Sequence, residues 1–151
     1  MIRQKSLIGT EIDCTFRTIE ESQLTRLHHA IHQSSSFFSA KPDASSKDET
    51  FHHLPAFLLG NLINLPKVYK ALGLNINNIL LSRESVTHHR PLKSGSSVTI
   101  RTFLKDAYEQ QASSNPIGFI VLDSIGHLDM EVAFHCERVI AVRGGFQRGR
   151  P

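Results

Sequence analysis

Cysteine is scarce in this chain: only Cys14 and Cys136 occur in 151 residues. Two thiols far apart, with no secretory segment, do not make a disulfide framework, so a reducing, cytoplasmic setting is the expectation. Long hydrophobic runs are missing too. Nothing approaches the roughly 20 apolar residues that a membrane helix needs, and the opening MIRQKSLIGT lacks the apolar stretch of a signal peptide. A membrane is therefore not an expected partner. Charge of one sign is also absent, since 17 Lys and Arg against 14 Asp and Glu leave a net charge of +3. The basic residues are spread along the chain apart from Arg143, Arg148 and Arg150 near the end. Nucleic-acid binding would want a basic stripe interleaved with aromatics, and none is seen, so it is not expected. No internal repeat is found.

What is there suits one globular domain. The length can bury a real core, and 40% apolar with 21% charged residues is ordinary for a soluble protein. Asp13 to Thr18 reads as a short strand. Thr18 and Glu21 then form a T-x-x-E capping box, with Leu24, Leu27 and Ile31 at helical spacing, which predicts a helix from Glu20 to His32. Residues 33–50 are rich in Ser, Asp, Lys, Ala and Pro and read as a long loop. The most apolar stretch follows, predicting a central helical segment over about Pro55–Leu72 in two pieces, Pro55–Ile63 and about Pro66–Leu72, with Pro66 interrupting the ladder and Gly73 stopping the second. Strands are predicted at Ile79–His88, Ser97–Ala107, Gly118–Leu128 and Glu131–Val142. Helix followed by long strands argues for an α+β fold with an antiparallel sheet. The domain is placed at 1–143, and residues 144–151, GGFQRGRP, are expected to be a flexible basic tail.

The segment Leu81 to Arg101 is the most distinctive. Val86 and its neighbours alternate as a half-buried strand would, Pro91 ends that strand, and Gly95 suits a turn before Ser97–Ile100 resume the alternation. The string His89, Arg90, Pro91, Leu92, Lys93, Ser94, Gly95 resembles the HRPL-x-x-G-D segment of the MaoC-like family, whose hot-dog proteins hydrate or dehydrate acyl thioesters. Ser96 stands where that family usually has Asp, Ser82 where it commonly has His, and Arg83 where it has Gly. Further likeness lies in Ile8 to Glu11, in Phe57 to Gly60 through Leu65 and Pro66, in Ala71 to Leu74, and in Lys105 to Glu109. The resemblance covers most of the chain and is nearest to the family's N-terminal-type domain, which often lacks its own catalytic pair. It implies a single hot-dog fold, with an antiparallel sheet wrapped around the long central helix.

Hydration of an enoyl thioester needs a base for water, an acid for the α-carbon and donors for the developing enolate oxygen. Active MaoC-like proteins supply the first two from D-x-N-P-x-H. The comparable positions fall near Gln33 or Ser34 and near Phe38 or Ser39, none of which can exchange a proton at neutral pH. Asp48 and His53 have the D-x-x-x-x-H spacing and are the alternative catalytic pair. They compete with a plain reading in which Asp48 belongs to a solvated charged run. Asn115, Pro116 and Ile117 resemble part of the motif, but Gly118 follows where His should be, so they read as a turn. The donor side also departs from the family, because His53, Leu54, Pro55 replaces a His-Gly pair and proline has no N–H. Hot-dog thioesterases use an acidic residue on the central helix, and Pro55 to Tyr69 contains none. His28, His29 and His32 lack the H-E-x-x-H pattern and a third ligand, so no metal is expected, nor any other cofactor. Cys136 reads as a buried inert thiol.

His53, Phe57, Gly60, His89 and Arg90 are the expected substrate-binding residues. The leading reading is an acyl-thioester-binding hot-dog protein, CoA- or carrier-protein-directed, that is a catalytically impaired or accessory subunit of a 3-hydroxyacyl-thioester dehydratase or enoyl hydratase. It is expected to pair as a homodimer or with another hot-dog subunit. The alternatives are an active (R)-specific enoyl-CoA hydratase using Asp48 and His53, and an interaction protein that has lost the ligand.

Overall fold

The computed structural model of the chain describes residues 4–36, 53–112 and 115–146. Five strands make one sheet: β1 (Glu11–Thr18), β2 (Ile79–His88), β3 (Ser97–Ala112), β4 (Asn115–Leu128) and β5 (Glu131–Arg143). Their order is β1-β3-β4-β5-β2, and every pairing is antiparallel. Strict alternation drives this. In β4, Ile120, Leu122 and Ser124 are buried while Val121 and Asp123 between them are half-buried, as a strand with one covered face requires. Asp129 and Met130 join β4 to β5 with φ of 50° and 70°, the left-handed pair that matches the twist of a two-residue hairpin.

The helices lie against the inner face. The segment Pro55–Leu72 forms two pieces, as expected from Pro66: helix α2 (Leu65–Ala71) lies where the second was placed, and the first, Ala56–Leu62, is wound as a 3-10 helix. The break has a local cause. The Asn64 side chain accepts the Lys67 N–H at 3.4 Å and restarts the chain as an N-cap, with Pro66 in the first turn where its missing N–H costs nothing. At the far end Gly73 takes φ 67°, and the Leu74 N–H bonds to the Tyr69 carbonyl at 2.9 Å, closing α2 as a Schellman turn. Nor is this segment enclosed all round, since Phe57 is 65% exposed.

Two apolar clusters share that inner face. Leu54, Leu59 and Ile63 pack with Val98, Ile100 and Phe134, while Val68 and Leu72 of α2 pack with Leu104, Ile120 and Ile140. Burying side chains of this size stabilises by roughly 1.5–3 kcal/mol each, so the sheet and both short helices form one unit.

Three further expectations are corrected. The helix α1 runs Glu21–Ser36, but Thr18 does not cap it: Thr18 ends β1, and its hydroxyl meets Ser97 Oγ at 3.2 Å. The reciprocal half of a cap comes from Gln23, whose Oε1 accepts the Glu20 N–H at 3.3 Å. Asn115 to Ile117 is not a turn but the start of β4, paired with β3 through Asn115–Ala112. The expected loose tail does not begin at Gly144. Phe146 is 5% exposed, its ring covers Gly118, and its N–H donates to Glu109 Oε1 at 2.6 Å.

Candidate functional site

The loop carrying the family string is stitched to the start of the 3-10 helix. Leu54 N–H donates to the Leu92 carbonyl at 2.8 Å, and His53 forms a bridge with Lys93. The N–H groups of His89 and Arg90 both donate to the Ala133 carbonyl, at 2.8 and 3.0 Å. Thus Leu54, Leu92 and Ala133, all buried, fix one end of the fold, and the exposed side chains of His53, His89 and Arg90 are carried around it. The His88 ring bonds the Arg90 carbonyl at 2.6 Å, and the Arg90 guanidinium is paired with Glu131. Pro55 is the N-cap residue of the 3-10 helix and not part of its first turn. Its missing N–H therefore removes no donor from that turn, where Ala56 and Phe57 have N–H groups without a carbonyl inside the helix to bond.

Gly60 stands apart from this rim. It is buried, and a Cβ there would lie 2.7 Å from Glu84 Oε1 and 2.8 Å from Arg138 Nη2. The ion pair of Glu84 and Arg138 occupies the space a side chain at 60 would take, so a larger residue would displace its charged ends. Arg138 is 4% exposed; its Nε donates to Glu84 Oε2 at 2.6 Å and its Nη2 to the Gly60 carbonyl at 3.4 Å. Its Nη1 is buried and finds no hydrogen-bond partner among the described residues. Neither Glu84 nor Arg138 was singled out from the sequence. A signal existed, because Phe134, Cys136, Arg138, Ile140 and Val142 share one parity, and a charge in phase with core positions must find a buried partner.

The pair stands in the cross-strand row next to a polar one, since Arg138 is opposite Leu122 of β4. Asp13 is opposite Thr102, Thr102 opposite Ser124, Ser124 opposite Cys136, and Arg138 opposite Glu84. Thr102 Oγ1 and Ser124 Oγ meet at 2.9 Å. Asp13 takes the Thr15 hydroxyl at 2.5 Å on Oδ2, while Lys67 Nζ stands 2.6 Å from Oδ1 as an ion-pair contact poorly aligned for a hydrogen bond. Asp13, Thr102, Ser124 and Arg138 are the buried polar residues of the described chain; the first three share this row, and Arg138 lies in the next one. Burial, more than the neighbouring charges, raises the Tyr69 hydroxyl above its ordinary pKa and pushes the Cys136 thiol up to about 11. Cys136 is thus an unreactive thiol at neutral pH.

The opposite face carries different chemistry. His135 Nε2 is bonded to Asp123, and Glu137 lies between Lys105 and Arg83. The hydrogen bond and charge of Lys105 hold the Glu137 carboxyl below its usual value, and Glu137 raises the Lys105 amine in return. By strand alternation these side chains point away from the helices. Of the alternative catalytic pair, His53 is exposed beside Lys93, and Asp48 lies outside the described residues. The same holds for Phe38 and Ser39. Among the described residues no group of three or more His, Cys, Asp or Glu is placed to hold a metal ion, and no helix is long and apolar enough to cross a membrane.

Known proteins place this architecture. The family model described as "FAS1-like, dehydratase domain region" matches residues 6–127. No curated protein matches in sequence. Among solved structures, the ChsH1-ChsH2 complex from Mycobacterium tuberculosis is similar with a TM-score of 0.61 at 14% identity, covering 99% of this chain and 90% of that chain. The MaoC-like dehydratase from Rhodospirillum rubrum follows at 0.59 and 12% identity, covering 100% and 99%. HadBC, a 3R-hydroxyacyl-ACP dehydratase complex from Mycobacterium tuberculosis, stands at 0.58 and 11%, covering 89% and 99%. At such identities the likeness establishes the hot-dog fold.

Proposed function

The chain belongs to the FAS1-like dehydratase domain region family, and from that premise we propose that it binds acyl thioesters as an accessory hot-dog subunit without an acid–base pair of its own. One observation carries the reading. Among the described residues, the one His–Asp contact, His135–Asp123, faces away from the helices, while the inner-face carboxylates Asp13 and Glu84 are held by Lys67 and Arg138. Each of these inner-face carboxylates is thus engaged by a cation and not by a histidine. The thioester would lie at the start of the 3-10 helix, with its carbonyl toward the Ala56 and Phe57 N–H groups and its carrier along His53, His89 and Arg90.

A second hot-dog subunit fits the free edge of the sheet. Leu80 and Leu81 of the edge strand β2 are 61% and 58% exposed, although successive strand residues point to opposite faces. Both faces of that edge are uncovered, as a strand awaiting a partner would leave them. Calorimetry with crotonyl-CoA, paired with a hydration assay on the same sample, tests the proposal. Binding without turnover is expected. Hydration lost in His53→Ala would favour the active hydratase using Asp48 and His53, and absence of binding would favour the interaction protein that has lost its ligand.

A further inference from the structure

Arg138 is the anomaly of the inner face. Its charge is matched by Glu84, yet its Nη1 is left buried and unpartnered. Leaving such a donor unpaired is costly, and native proteins rarely tolerate it without a use for the group. The surroundings limit what could satisfy it. Cys136 of one apolar cluster and Ile140 of the other flank Arg138 along β5, so a partner must arrive within a largely hydrocarbon setting. Because Glu84 already neutralises the guanidinium, the fitting partner is a neutral acceptor, a hydroxyl or carbonyl oxygen, and not a second anion. Glu84 is partly exposed on the edge strand, so the ion pair reaches solvent on that side.

Position along the helix sets where that oxygen sits. Gly60, whose carbonyl the guanidinium contacts, is four residues beyond Ala56 in the 3-10 helix. At about 2.0 Å per residue this is about 8 Å from the donors proposed for the thioester, a span of several chain carbons. We infer that the Gly60–Glu84–Arg138 cluster is a subsite for an oxygen carried far along the acyl chain, which makes mid-chain or terminally oxygenated acyl thioesters the ligand class. This rests on the acyl-thioester reading above.

The test titrates the full-length protein with three CoA thioesters of equal length: octanoyl, β-hydroxyoctanoyl and ω-hydroxyoctanoyl. The ω-hydroxy ligand is expected to bind roughly tenfold tighter than octanoyl-CoA, the scale of satisfying one buried donor, with β-hydroxyoctanoyl-CoA gaining less. The double variant Glu84→Gln/Arg138→Met, which removes both charges together, should bring the ratio close to one. Gly60→Ala, whose Cβ would push against both partners, should lower the ratio independently and serves if the double variant fails to fold. Equal binding of all three ligands, or an unchanged ratio in the folded variants, would overturn the subsite and leave acyl-thioester binding standing. No binding of any of the three would overturn both.

Discussion

Removing Glu84 should unbalance the core more than its partial exposure suggests. Arg138 is buried, and its guanidinium has as described partners only the Glu84 carboxylate and the Gly60 carbonyl. In Glu84→Gln the guanidinium keeps its charge but loses the group that neutralises it. Breaking a buried pair from one side costs about 3–5 kcal/mol. Glu84 retains some solvent contact, so the lower end, about 3 kcal/mol, is the appropriate figure. For a chain of this length each kcal/mol moves the melting temperature by about 2–4 °C, so a fall of roughly 6–12 °C is expected. Replacing both partners at once, as Glu84→Gln/Arg138→Met, should recover most of that loss, because neutral substitutes of similar volume avoid the desolvation of two charges. Urea unfolding of the wild type, both single variants and the double variant closes the cycle. A Glu84→Gln loss below about 1 kcal/mol would refute the view that this carboxylate neutralises a buried charge.

Other outcomes follow from the same geometry. Gly126→Ala would drive a Cβ into the Phe134 ring and should destabilise by about 1–3 kcal/mol, with Phe134→Leu in the same chain giving partial recovery in thermal denaturation. Phe146→Ala should cost about 3 kcal/mol by urea unfolding if the segment after β5 is core, and nothing measurable if it is a loose tail. Thiol labelling of the native protein at neutral pH should modify exposed Cys14 and spare Cys136, whose thiol is buried and raised to about 11; rapid labelling of both would contradict the packing. Leu81→Lys should shift sedimentation toward the monomer if β2 is the pairing edge, and an unchanged sedimentation coefficient would remove that edge from consideration.

Much of the sheet was legible because long half-buried strands announce themselves by alternation. The predicted Ile79–His88 coincides with β2, and the other strands differ mainly in running further, as β3 does to Ala112. Where a local pattern served two structures, it misled. Thr18 fits a capping box as well as a strand end, and the hydroxyl of Ser97, distant in sequence, decides between them. The apolar run 54–72 shows its break through Pro66, but periodicity does not reveal that the first piece is wound as a 3-10 helix or that Asn64 caps the second. An isolated aromatic such as Phe146 has no period, so its burial depends on the glycine at 118 that makes room for it. The family string led to the right fold. Glu84 and Arg138 escaped notice because only the register of β2 against β5 brings them together across 54 residues of chain.

Equilibrium dialysis of the purified chain against trans-2-octenoyl-CoA, with the retained thioester identified by mass, tests the central claim most directly. The expected result is enrichment on the protein side of the unchanged enoyl thioester. Retention of nothing, or recovery of the hydrated product, would contradict a binding subunit that lacks its own proton-transfer pair.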